Sequence, residues 1–214
     1  AEAAAEAAAE AAAEAAEADY TVLVYMVGSD LESRDYAATN DLYEMMAVDL
    51  PSSVNVIVET GGANAKPDEY RFLDFTIVQR LYIDNGFEDS GILSDLGSKN
   101  MGDPSTLSDF LVWGTQEFPA KKYVLILWDH GSGNGFGNDE MYDHDETDLD
   151  EFALALDSAY GETGVTFEVI GFDACLMATL GVASVIENYA NYMVASEELE
   201  PGHGWDYTAI LSSL

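Results

Sequence analysis

Basic residues are scarce in this 214-residue chain: seven Lys and Arg stand against 41 Asp and Glu, for a formal charge of −34. That balance excludes nucleic-acid binding, because a phosphate backbone would be repelled. It suits a solvated acidic surface, affinity for calcium, or attraction of basic substrates. Cysteine occurs once, so no intrachain disulfide framework exists and the redox compartment stays open. No apolar run approaches the length of a membrane span, and the 48 % apolar content places the chain among globular proteins. Nor does a basic stretch followed by an apolar one open the chain, so any export signal is expected outside this sequence. A G-x-S-x-G elbow is missing, which removes that serine-hydrolase arrangement.

Residues 1–18 are almost wholly Ala and Glu, with Glu2, Glu6, Glu10 and Glu14 at i, i+4 spacing. This is helix-forming sequence with no apolar stripe larger than alanine. Such low complexity reads as an engineered segment or a stand-in for unassigned residues, and it is set aside for functional purposes. One globular domain is expected over 19–214. There, apolar β-rich runs closed by glycine or acid (20–30, 54–62, 123–133, 167–175) alternate with helical patterns. The helices are expected at 35–50, 103–118, 147–161 and 176–190, the first and second stopped by Pro51 and Pro119. A strand or hairpin is expected over 69–84 and a further strand over 191–202. Near-continuous apolar strands alternating with amphipathic helices predict an α/β fold, a mainly parallel sheet with helices on both faces.

Two strands end on reactive side chains. YVLILWDHGSG carries His130 and FEVIGFDACLMA carries Cys175, each just past an apolar run. Open α/β sheets place their sites beyond the carboxyl ends of strands, and one right-handed crossover would set these two strands close together. A histidine beside a thiol can take its proton and leave the attacking thiolate. Cys175 also opens the expected helix over 176–190, whose dipole would favour the anion. The N–H groups of Gly131 and Cys175 are candidates for an oxyanion hole. Against this stands the ordinary fate of a lone cysteine as a small core residue. His130, His144 and Cys175 lack zinc-ligand spacing.

The blocks NMGDPSTLSDFLVWGTQEFPAKKYVLILWDHGSG and GFDACLMATLGVASVIENYANYMVASEELEPGHGWDY resemble the clostripain family of cysteine peptidases. The resemblance is densest at D-H-G, at F-D-A-C-L-M and at A-S-E-E-x-x-P-G-x-G-W-D-Y. It implies a caspase-like fold, His130 as base and Cys175 as nucleophile of a dyad. It also implies cleavage of protein or peptide substrates after Arg or Lys, with no cofactor required and a bacterial, secreted or cell-envelope setting. Asp173, two residues before the cysteine, is implied as the acidic floor of the specificity pocket. A buried carboxylate there would favour a cationic side chain through a bidentate, charge-assisted bond. Asp206, in the G-W-D-Y block, is the next candidate for that role.

Family members extend well past G-W-D-Y, so this chain is expected to be truncated at its C-terminal end. Self-cleavage after a basic residue between His and Cys, used by some relatives, is closed here, since no Lys or Arg follows Lys122. In the acidic stretch 138–151, Asp139, Asp143 and Asp145, with Glu140 and Asp148, are weak calcium candidates without EF-hand spacing. A solvated loop leading into a helix N-terminus explains the same residues. The rival to a peptidase is a non-catalytic, acidic binding module that keeps the fold without turnover.

Overall fold

The computed structural model describes residues 17–83 and 91–214. Positions 1–16 of the Ala/Glu segment, and the helix expected there, lie outside the described residues, while Ala18 opens the first strand. Among the described residues the chain runs β1 (Ala18–Val27), α1 (Ser29–Asp35), α2 (Ala37–Met46), β2 (Val54–Gly61), β3 (Val78–Ile83) and β4 (Gly91–Gly97). It continues with α3 (Pro104–Glu117), β5 (Ala120–Trp128), β6 (Gly135–Asp139), β7 (Asp145–Asp148) and α4 (Leu149–Thr163). The last elements are β8 (Phe167–Asp173), α5 (Leu180–Ile186), β9 (Ala190–Val194) and α6 (Tyr207–Leu211). A seven-stranded sheet in the order β4-β3-β2-β1-β5-β8-β9 forms the centre. Its strands from β2 to β9 are parallel, while β3 and β4 add an antiparallel edge.

The mainly parallel α/β architecture follows from strands that need cover on both faces. In β1, Leu23, Tyr25 and Val27 enter one core, and Val22, Val24 and Met26 enter the other. The first core is closed by Leu107, Phe110 and Leu111 of α3, Phe152 and Leu156 of α4, and Val182 of α5. Leu42, Met45 and Met46 of α2, with Tyr207 and Leu211 of α6, close the second. Local signals fix the ends of the longer helices. Asp103 caps α3 ahead of Pro104, and Asp148 with Glu151 makes a capping box on α4. That helix runs through Gly161 and stops at Gly164, whose φ of 67° suits glycine.

Three expected elements are shorter than their patterns. The strand expected over 191–202 ends at Val194, because the Ser196 and Glu198 carbonyls accept from the 175–179 loop instead of a ladder. The strand expected over 69–84 is confined to β3. Upstream of it Arg71 turns inward to donate to the Glu32 carbonyl and to Asp68, both at 3.0 Å. Asp74 accepts from the Thr76 N–H at 3.0 Å, and such local bonds compete with a ladder. Likewise the helix expected over 176–190 shrinks to α5. Leu176 has a φ of 65°, and the N–H groups of Leu176 and Ala178 donate at 2.9 Å to Glu198 and Ser196. These long-range bonds hold 175–179 as a loop.

Candidate active site

Three parallel neighbours, β1, β5 and β8, end on the same edge of the sheet. Met26 pairs with Trp128, Trp128 pairs with Asp173, and the Asp129 N–H carries the ladder one residue further, to the Asp173 carbonyl at 3.3 Å. Beyond this line each chain turns away, leaving Ser29-Asp30, His130-Gly131 and Ala174-Cys175 grouped at the carboxyl ends. The crossover through α4 brings β8 beside β5, as the sequence predicts. His130 and Cys175 line one cleft of about 160 Å³ together with Asp173, Asp41 and the turn 200–204.

The His130 ring is 47 % exposed, and its Nε2 lies 2.7 Å from Asp30 Oδ1. That contact holds Asp30 below its ordinary carboxylate range. Cys175 is partly buried, and its Sγ accepts the Glu200 N–H at 3.3 Å. A Cβ on Gly131 would fall 2.2 Å from the Cys175 carbonyl oxygen, so only glycine lets these two turns meet backbone to backbone. Neither the Gly131 N–H nor the Cys175 N–H donates to an acceptor among the described residues. Beneath His130, Asp129 is buried: Oδ1 receives the Ser29 hydroxyl at 2.5 Å and Oδ2 has no partner. Burial pushes Asp129 well above the ordinary carboxylate range, against that hydrogen bond. Ser29 itself holds a φ of 49°, a strained conformation for a side chain with Cβ.

Two buried acids form the floor. Asp173 is 5 % exposed, and its Oδ2 accepts from the Trp205 N–H at 3.1 Å and the Tyr207 hydroxyl at 2.9 Å. Burial raises it to about 6, against those two bonds. Asp41 projects from α2 at 4 % exposure, and the Trp128 indole donates to its Oδ2 at 2.7 Å. Burial lifts Asp41 to about 8; the Trp128 bond opposes this and the charge of Asp173 adds to it. Gly204, at φ 63°, closes the turn over Asp173, with room for no Cβ farther than 2.9 Å from its Oδ2.

Other predicted residues sit elsewhere. Asp206 is exposed and caps α6, its carboxylate accepting the Ala209 N–H at 2.8 Å. Asp139 is fully buried in the β6–β7 hairpin and accepts from the Met101 and Met141 N–H groups, both at 2.8 Å. It is a structural keystone, not an open ligand in a solvated loop. Asp143 and Asp145 are exposed, and Asp145 accepts from the Asn100 amide at 2.6 Å. Among the described residues no three His, Cys, Asp or Glu side chains group closely enough to hold a metal. Cys175 does not open a helix as its sequence pattern predicts: α5 starts only at Leu180, capped by Thr179, so the sulfur meets a loop amide instead of a helix dipole.

A model of the clostripain family matches residues 24–214. The chain belongs to the clostripain family. It is 30 % identical over 133 residues to clostripain of Hathewaya histolytica, an alignment covering 54 % of this chain and 25 % of that protein. Its fold is similar to that of a secreted C11 cysteine protease from Bacteroides thetaiotaomicron solved with an irreversible peptide inhibitor. The TM-score is 0.71 at 23 % identity, covering 91 % of this chain and 53 % of that one. An inactive zymogen C11 protease from Parabacteroides distasonis gives 0.68 at 21 % identity, covering 92 % and 53 %. This clostripain-family chain thus shares their mainly parallel, caspase-like sheet and spans about half the length of those solved relatives.

Sequence reasoning about this family member missed Asp30, Asp41 and the Ser29–Asp129 pair. Asp30 had a legible signal, since it closes β1 after Gly-Ser just as His130 and Cys175 follow β5 and β8. Asp41 also left a trace: it shares a helical row with the buried Ala38 and Met45, an acid on an otherwise apolar face. The 200–204 wall lies inside the A-S-E-E-x-x-P-G-x-G-W-D-Y block, whose resemblance marked the segment without placing it beside the cleft.

Proposed function

We propose that the protein carrying this chain is a cysteine endopeptidase that cuts peptide bonds after Arg or Lys. The observation that carries the reading is one cleft in which an imidazole and a thiol stand at adjacent strand ends above two buried carboxylates. With Nε2 held by Asp30, Nδ1 is the ring nitrogen left to take the Cys175 proton. The thiolate then adds to the scissile carbonyl carbon, and the oxygen that gains charge is met by the Gly131 and Cys175 N–H groups. Collapse breaks the C–N bond as the imidazolium returns the proton to the leaving amine, giving a thioester. Water, deprotonated by His130, adds to the thioester and releases the acid and the thiol. Asp173 holds the basic side chain next to the cut bond. We extend to this protein the secreted, bacterial setting of its Bacteroides thetaiotaomicron relative.

A chloromethyl ketone carrying Arg tests thiolate, base and pocket together. Stoichiometric labelling of Cys175 near neutral pH is expected, with Leu-bearing reagent slow and His130→Ala slowed sharply. Equal labelling rates in wild type and His130→Ala would remove the dyad and leave the acidic binding module standing.

A further inference from the structure

Asp41 lies on the wall between two cavities. One is the cleft with His130, Cys175 and Asp173; the other, of about 520 Å³, adjoins it through the shared residues Ala37, Asp41, Gly202 and His203 and reaches Asp35, Asn40 and Glu44. That larger space is within the usual range for ligand sites, whereas the cleft has room for one long side chain. Although Asp41 is 4 % exposed, among the described residues only its Oδ2 is bonded; Oδ1 has no hydrogen-bond partner there and is not sealed from solvent. A buried carboxylate normally has a counter-ion or a full set of donors. The described residues supply neither here. Arg34, Arg71, Arg80, Lys99, Lys121 and Lys122 are paired with other acids, and no Lys or Arg lines either cavity. His130 and His203 are the lining residues able to carry positive charge; His130 Nε2 is held by Asp30 at 2.7 Å, and His203 Nδ1 faces the Gly204 carbonyl at 3.0 Å.

We propose that Asp41, with Glu44 and Asp35, recognises a second basic side chain of the substrate in this adjoining cavity, so that the preferred substrates carry two basic residues close together. The inference rests on the reading that Asp173 takes the first. A guanidinium or ammonium in this cavity would find Asp41 and Glu44 among its lining residues as acceptors, replacing the counter-ion that the fold omits. Glu44 is already anchored, since its Oε2 accepts the Tyr207 N–H at 3.1 Å, which leaves Oε1 for the incoming cation. Two adjoining cavities with one buried acid at their shared wall and a second, Asp173, in the cleft suit two cations better than one.

The test uses the full-length protein and a peptide set with Arg fixed before the cut bond and a second Arg moved through the neighbouring positions, each against norleucine. Assays at about pH 8.5 keep Asp41 ionised, above its value of about 8. One position is expected to gain about 10- to 100-fold in kcat/KM. That gain should fall towards unity in Asp41→Asn, which keeps an acceptor for Trp128, and should shrink in Asp35→Asn, an exposed site where folding is not at stake. If no position gains while Arg before the cut bond is still preferred, the second site is overturned and the proposed function stands. Loss of the first Arg preference would overturn both. A gain that survives both substitutions would also overturn the assignment to Asp41.

Discussion

Burial and bonding pull Asp173 in opposite directions, and the balance near 6 keeps it charged at neutral pH inside a largely apolar floor. Asp173→Asn removes that charge while keeping the shape and an acceptor for the Trp205 N–H. Losing one charge-assisted contact to a guanidinium is expected to cost about 2–4 kcal/mol, roughly a 30- to 1000-fold fall in kcat/KM for Arg substrates. Leu substrates should change little. The same carboxyl sets an acid limb: kcat/KM for Arg should decline as pH falls through about 6 and the group protonates, and Asp173→Asn should lack that limb. Matched Arg, Lys and Leu substrates, compared across pH and at low and high salt, check this. Exposed charges are screened beyond about 8–10 Å at physiological salt, so a preference abolished by salt alone would assign selectivity to the diffuse acidic field.

Turns, not helices or strands, bring the reactive groups together at the next scale. Gly131 is where the β5 turn touches the β8 turn, and the added methyl of Gly131→Ala would overlap the Cys175 carbonyl at 2.2 Å. One turn must move, and a shift near 1 Å at a reacting centre costs about 100-fold in rate. We expect kcat/KM to fall by about that factor while thermal unfolding changes far less, because the sheet beneath is untouched. Full activity in Gly131→Ala would show that the close approach is dispensable. Elements with local instructions were legible: α3 carries its cap and stop in sequence, α4 carries its capping box but runs past the expected stop at Gly161 to Gly164, and β1, β5 and β8 are apolar runs. The segment after Cys175 was not, because bonds to residues about twenty positions away override its helical pattern.

Across the whole molecule, acids with raised values outweigh those with lowered ones among buried groups. Glu59, held by Arg80 yet buried, stands at about 7, Asp173 at about 6 and Asp41 at about 8. Each binds its proton more tightly folded than unfolded, so between about pH 4 and pH 8 the native state holds more protons. Stability from these groups is therefore full below about pH 4, the unfolded range, and is lost as pH rises through the folded values. The lowered acids, such as Asp30 and Glu168, act the other way, but they are partly or wholly exposed and weaker. Self-repulsion at a formal −34 also grows with pH. Urea unfolding should therefore show a higher midpoint at about pH 5.5 than at about pH 8.5, a difference on the order of 2 kcal/mol. Asp41→Asn should flatten the slope. A midpoint that rises with pH would mean the floor acids are ionised without penalty.

By itself the sequence determined the alternation of buried strands and covering helices, and with it the sheet edge on which His130 and Cys175 stand. Periodicity and strand-end chemistry are local properties, and a parallel sheet converts them into a site without further information. Only the tertiary structure decided what surrounds that pair. Asp30 reaches His130 across 100 positions of chain, Trp128 reaches Asp41 across 87, and Glu200 reaches the sulfur across 25. No window of sequence contains such contacts. It was also tertiary packing that assigned the acids, burying Asp41 and Asp139 while leaving Asp206 to cap a helix. An aspartate reads the same in every sequence, and its chemistry is set by the water it loses and the donors it meets on folding.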